Sequence, residues 1–255
     1  MKDERATLKQ RLAAGDPILG TFLKTTNPHV VEVLATCGFD CICIDAEHAP
    51  FDRHSIDLCL LAARAGGVPA LVRPASAMPH HYLSALDSGA DGVLVPHIRT
   101  ADEARELARA VHYGPGGRGY AGSTRAAGFG MAAMPDHRRL SRERTVAIAQ
   151  IEDAEALDEI DAIARVEGLD ALFVGRIDLT VSLGCESPDD ARVEEAVGRI
   201  VEACVTARKP VGMFLPRAAD VPAWLARGVN FFLLGSDHSL MRSGARQLRL
   251  DTGLS

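Results

Sequence analysis

Residues able to bind a metal, move a proton or hold an anion recur where short apolar runs of this chain end. One run ends in Asp45-Ala46-Glu47-His48, others in Arg73-Pro74 and Pro96-His97. Later runs end in Gln150-Ile151-Glu152-Asp153, Gly175-Arg176-Ile177-Asp178 and Ser236-Asp237-His238, while Phe214-Leu215-Pro216 ends apolar. Two carboxylates on consecutive runs, Glu152 and Asp178, neutralise a 2+ ion and leave its other positions to water and substrate, the arrangement Mg²⁺ and Mn²⁺ favour. The competing reading has them solvated or paired with arginines. Arg73 offers an always-charged donor fork for a carboxylate or a developing oxyanion, or else a bridge to an acidic neighbour. His48 titrates near neutrality and suits a base. No lysine ends a run: Lys24 falls just past the first and Lys209 precedes the seventh. An imine mechanism needs a desolvated lysine, so the pattern favours a metal.

Positioning these residues requires strands that alternate with helices. Strands are expected at Ile18–Leu23, Cys41–Asp45, Ala70–Arg73, Gly92–Pro96, Val146–Ile151, Ala171–Val174, Val211–Leu215 and Phe231–Leu234. They are nearly continuous apolar runs, as parallel strands buried on both faces must be. Helical stretches such as Ala101–Val111 and Pro188–Ala207 separate them, and Gly38, Gly89, Gly168, Pro210 and Gly228 punctuate the approaches to the next strand. Eight such units in about 250 residues predict one α/β domain, a (β/α)₈ barrel spanning 1–255. A doubly wound sheet would carry a glycine-rich phosphate loop after its first strand, and Thr25-Thr26-Asn27-Pro28 is no such loop. The connection after the fourth strand is long, with a loop at about 113–145. Its Arg118, Ser123, Thr124 and Arg125 suit an active-site rim facing an acidic ligand; a mobile surface loop is the alternative.

Composition narrows the partners. The 255 residues are 47% hydrophobic and 24% charged, and the net charge of −6 disfavours nucleic acid and anionic membrane surfaces. No apolar run approaches the roughly 18–20 residues of a membrane helix. The charged start Met1-Lys2-Asp3-Glu4-Arg5 does not read as a secretory signal, so a cytoplasmic protein is expected. The six cysteines lack zinc-site spacing and read as core thiols, and His54, His80, His81 and His112 read as surface residues.

Several blocks, in order, carry a resemblance: Asp45-Ala46-Glu47-His48-Ala49-Pro50, Val72-Arg73-Pro74, Leu86-Asp87-Ser88-Gly89-Ala90, Leu94-Val95-Pro96, Gln150-Ile151-Glu152 and Asp178-Leu179-Thr180-Val181-Ser182-Leu183-Gly184. Over about residues 15–240 the chain resembles the HpcH/HpaI aldolase family of metal-dependent class II pyruvate aldolases, which includes 4-hydroxy-2-oxoheptanedioate and 2-dehydro-3-deoxyglucarate aldolases. The resemblance implies a (β/α)₈ barrel, often hexameric as a trimer of dimers, that uses Mg²⁺, Mn²⁺ or Co²⁺. It implies metal ligation by Glu152 and Asp178, oxyanion stabilisation by Arg73, and proton transfer by His48 supported by Asp87. Arg73, Gln150, Ile177, Leu215, Arg125 and Arg176 are the expected substrate contacts. The implied substrates are pyruvate and an aldehyde, joined or parted through a pyruvate enolate in a 4-hydroxy-2-oxo acid.

Two features sit awkwardly. The family's Gly-Pro-x-Asp-Leu is Gly175-Arg176-Ile177-Asp178-Leu179 here, so an inward-pointing Arg176 would select a second acidic group on the substrate. Claisen-type chemistry on a CoA ester or citrate-like acid is therefore a second reading, and a non-catalytic acid-binding barrel a third. Asp87, moreover, falls at the end of a helix before the fourth strand, which in a right-handed barrel is the face opposite His48. Asp87 is then either structural or a partner for His48 of a neighbouring subunit.

Overall fold

Apolar runs rich in β-branched residues form eight strands among the described residues, 6–253, of the computed structural model. They are β1 (Ile18–Leu23), β2 (Cys41–Asp45), β3 (Ala70–Arg73), β4 (Gly92–Val95), β5 (Val146–Ile151), β6 (Ala171–Val174), β7 (Val211–Leu215) and β8 (Phe231–Ser236). Each lies parallel to its neighbours, and β1 pairs with both β2 and β8, so the sheet closes into a (β/α)₈ barrel. The charged start Met1–Arg5 lies outside the described residues.

The two-residue period of a strand divides its side chains between two cores. Ile18, Phe22, Cys41, Cys43, Leu71, Leu94, Ile148, Phe173, Phe231 and Leu233 fill the barrel, joined by Leu8 and Leu12 from the helix Leu8–Ala14. Their alternates, including Ile42, Val72, Val93, Ala149, Val174 and Leu215, face the surrounding helices. One of those helices, Ala101–Val111, shows why the ring forms. Thr100 caps its first turn with Glu103 in a reciprocal pair, and Ala104, Leu107, Ala108 and Val111 put a buried stripe on the barrel. Continuing the inward parity to the strands' C-terminal ends brings Lys24, Asp45, Arg73, Gln150 and Glu152 to one mouth.

The long connection between β4 and β5 does not rim that mouth. The Ala101–Val111 helix returns the chain to the N-terminal end, where a 3₁₀ turn, Arg125–Ala127, and a helix, Met134–Arg144, complete the connection. Arg125 donates there to the carbonyl of Ser88 and to Asp57, and Arg118 pairs with Asp87. The expectation of an active-site rim made by this loop in its own barrel is corrected by simple topology: chain between a barrel helix and the next strand belongs to the N-terminal face. A cleft of about 470 Å³ opens at this end, lined by Arg64, Arg118, Arg125, His137 and Arg144.

Three smaller corrections concern single residues. Cys41, Cys43, Cys59 and Cys204 are buried thiols, but Cys37 is exposed and Cys185 half-buried. His112 is half-buried, sharing a hydrogen bond with the Gly168 carbonyl. The helix expected from Pro188 begins at Ala191, because the Asp190 side chain caps the Arg192 N–H. At the chain's end the helix Asp237–Asp251 leaves every side chain after Asp237 exposed, Leu240, Met241, Leu248 and Leu250 among them. No helix among the described residues is long and apolar enough to cross a membrane.

Candidate active site

The mouth formed by the C-terminal strand ends holds a cavity of about 390 Å³. Lys24, His48, Arg73, Gln150, Ile177 and Asp178 line it together with the apolar walls Phe22, Phe173 and Phe214. Five of the expected residues, His48, Arg73, Gln150, Ile177 and Asp178, therefore meet in one space. Glu152 adjoins them, only 2% exposed, through a hydrogen bond from Gln150 Nε2 to its Oε2.

Adjacent strands set the cationic side. Asp45 and Arg73 are register partners on β2 and β3, and the Arg73 fork binds Asp45 through Nε (3.0 Å) and Nη2 (2.9 Å). Arg73 Nε also lies 3.3 Å from Glu47 Oε2. Burial would raise the Asp45 carboxyl, but the Arg73 charge and the hydrogen bonds from His48 N–H and Arg73 hold it below the usual range. His48 Nε2 stands 3.6 Å from Glu47 Oε2, and burial together with the Arg73 charge holds its imidazole below the usual histidine range. Lys24, just past β1, enters the cavity after all, with Nζ 3.2 Å from Asp45 Oδ2.

The acidic side is assembled from β5 and from the turn that follows β6. Glu152 Oε1 accepts the backbone N–H of His97 at 2.9 Å, so both its oxygens have a fixed donor. Burial, with the nearby Asp178 charge, pushes its carboxyl up despite those donors. Its closeness to β6 dictates a glycine at 175: a Cβ there would stand 2.6 Å from Glu152 Oε2. Asp178 comes not from a strand end but from the first turn of the helix Arg176–Ser182.

Two residues noted only as strand ends, Glu47 and His97, belong to the site. Ligand atoms of Glu47, His97 and Glu152 all lie within 4.8 Å of one another. Burial, repulsion from Glu152 and Asp45, and the opposing charges of Arg73 and His97 leave the Glu47 carboxyl at about 7. Glu47 Oε2 and Gln150 Oε1 are buried without a hydrogen-bond donor. The crowded, desolvated carboxylates of Glu47 and Glu152, beside the unfilled Gln150 oxygen, form surroundings that a hard divalent cation satisfies, so the site fits the implied metal, while the His97 imidazole is turned to Asp153.

Four expected residues stand elsewhere. Leu215 packs between barrel and helices; its neighbour Phe214 has the inward parity and lines the cavity instead. Arg176 borders the cavity, but its guanidinium is taken up outside it: Nε and Nη2 donate to the Pro188 carbonyl at 3.0 and 2.6 Å, and Nη2 lies 3.4 Å from Glu194. It is not presented to a second acidic group of a substrate. Arg125 and Asp87 occupy the N-terminal face, where Asp87 pairs with the buried Arg118.

Comparison with known proteins agrees with the barrel. The family model for HpcH/HpaI aldolase/citrate lyase matches residues 19–244. A hydroxypyruvate/pyruvate aldolase of Roseovarius nubinhibens is 33% identical over 242 residues, covering 94% of each chain. A crystal structure of a family protein from Burkholderia cenocepacia superposes with a TM-score of 0.91 at 34% identity, over 97% of this chain and 99% of that one. The citrate synthase SbnG superposes with a TM-score of 0.87 at 29% identity, over 98% of both chains. A closed eight-stranded barrel, this mouth and a match across nearly its whole length make the chain a member of the HpcH/HpaI aldolase/citrate lyase family.

Proposed function

We propose that the protein is a divalent-metal-dependent pyruvate aldolase, a carbon–carbon lyase that cleaves or forms a 4-hydroxy-2-oxo acid through the enolate of pyruvate. The observation that carries this reading is the meeting of His48, Arg73, Gln150 and Asp178 in one cavity, with Glu152 buried at its edge. Mg²⁺, Mn²⁺ or Co²⁺, held by Glu152 and Asp178, would supply Lewis-acid polarisation of the 2-oxo group.

The chain's own residues supply the rest. In cleavage, His48 accepts the proton of the 4-hydroxyl, the C3–C4 electron pair passes into the enolate, and the aldehyde leaves. The His48 imidazolium then returns a proton to C3, giving pyruvate; synthesis is the reverse. Arg73 faces the oxygen on which negative charge develops, and its hydrogen bond and ion-pair contact with Asp45 fix the fork before substrate arrives. Gln150 offers its amide to the oxo acid, and Phe22, Phe173 and Phe214 exclude water from the reacting carbons. Ile177, 53% exposed at the rim, stands where an aldehyde would enter.

The working unit is proposed to be a homo-oligomer, a hexamer built as a trimer of dimers. Asp87 is too far around the barrel to serve its own His48, and the bare apolar side chains of the helix Asp237–Asp251 favour a second copy. The resemblance in structure to a citrate synthase favours one alternative, Claisen-type condensation of a CoA ester with an oxo acid. An aldehyde panel with pyruvate and Mn²⁺, set beside acetyl-CoA with oxaloacetate, separates the two. Aldol products alone support the proposal; thiol release from acetyl-CoA without aldol products overturns it.

A further inference from the structure

Strand β4 ends at Val95, and two residues later the backbone of His97 turns into the left-handed region, with φ of 57°. Few residues with a side chain adopt that conformation, although histidine does so more readily than most. Here the turn points the His97 N–H at Glu152 Oε1, 2.9 Å away. The next amide, that of Ile98, donates to the Gln150 carbonyl at 3.3 Å, so two successive N–H groups stitch the end of β4 to β5.

The imidazole holds the turn in place from both sides. Its Nδ1 is 3.0 Å from Asp153 Oδ2 and 3.5 Å from Glu152 Oε1, and its Nε2 is 3.5 Å from Glu47 Oε1. Glu47 in turn contacts Arg73 and His48. His97 thus joins the carboxylate expected to hold the metal to the residues expected to handle oxyanion and proton.

We infer that His97 is a positioning residue of the metal site: its left-handed backbone, pinned by the imidazole between Asp153 and Glu47, fixes Glu152 for ligation. The inference rests on the proposed assignment of Glu152 to the metal. The role belongs to outer contacts that orient a ligand without touching the ion, and loss of such a contact typically weakens metal affinity about 10–100-fold.

Titrating Mn²⁺ at fixed pH, with free ion read by electron paramagnetic resonance and folding by melting temperature, tests it without reference to turnover. His97→Ala, which disfavours the left-handed turn and lacks all three imidazole contacts, is expected to weaken Mn²⁺ binding about 10–100-fold while remaining folded. His97→Asn tolerates the turn and keeps the N–H, and should fall between His97→Ala and the parent. Glu152→Gln serves as the reference for losing a ligand. Parent-like affinity in folded His97→Ala, with binding weakened in Glu152→Gln, overturns the inference alone. Parent-like affinity in Glu152→Gln overturns the metal assignment and the inference with it.

Discussion

Asp45 and Arg73 form a buried, two-point ion pair across the C-terminal ends of β2 and β3, with contacts of 2.9 and 3.0 Å. A fork held this way is both a catalytic group and part of the fold, and the two roles must be separated by measurement. Removing Arg73 leaves Asp45, fully buried, with Lys24 at 3.2 Å as its remaining cation. Breaking a buried pair from one side typically costs about 3–5 kcal/mol.

Arg73→Ala is therefore expected to lower the melting temperature and, per folded molecule, to lower kcat by roughly 10²–10³, the scale of one lost oxyanion donor. Arg73→Lys should recover little, because an ammonium cannot reproduce the planar two-point contact. Pyruvate proton exchange by folded Arg73→Ala at the parent rate would remove Arg73 from the chemistry.

His48 gives the activity its acid limb. Burial, then the Arg73 charge, depress its imidazolium below 6.5, so the base is already free at neutral pH. Enolisation should be flat near pH 7 and fall as the pH drops through a midpoint below 6.5. A pH profile of methyl proton exchange reads this directly, and a midpoint above 7 would count against His48 as the base.

Glu47 should mark stability in the opposite direction from an ordinary surface carboxylate. Its folded-state carboxyl, lifted mainly by burial, lies at about 7 against 4.5 for a free glutamate. Its contribution is thus complete below about 4.5 and is lost as the pH rises through about 7. Metal-free protein is expected to lose stability between pH 5 and pH 8, and Glu47→Gln to lose less over the same interval. Equal losses in the two proteins, measured by denaturant unfolding, would contradict the assignment.

Asp87 and His48 stand at opposite ends of one barrel, so a catalytic role for Asp87 requires a neighbour's His48. Inactive His48→Ala and Asp87→Ala proteins, mixed under conditions that exchange subunits, should regain part of the activity. Proven exchange without recovery would make Asp87, with its partner Arg118, a structural pair.

The sequence announces the barrel clearly because parallel strands buried on both faces must be written as apolar runs, as in Val93-Leu94-Val95 or Ala171-Leu172-Phe173-Val174. Polar residues at the ends of such runs, Arg73 and Glu152 above all, then stand out against them. What depends on a single torsion or on parity is harder to read. His97 joins the site through a positive φ that its residue type does not announce, and Phe214 replaces Leu215 because a one-residue step reverses the face. Arg125 and Arg176 look like ligands for an acid until their own partners, Asp57 and the Pro188 carbonyl, are known. Lys24 follows β1 as the sequence suggests, but its place beside Asp45 depends on the register of β1 on β2, which sets Leu23 opposite Ile44.

The central claim is that Glu152 and Asp178 hold a divalent ion with which His48 and Arg73 enolise pyruvate. Proton NMR of pyruvate in deuterated water tests it without knowledge of the aldehyde. The methyl signal should decay with enzyme and Mn²⁺, persist after exhaustive chelation, and persist with Glu152→Ala or Asp178→Ala. Undiminished exchange in the chelated enzyme, or trapping of pyruvate on Lys24 by borohydride, would contradict the account.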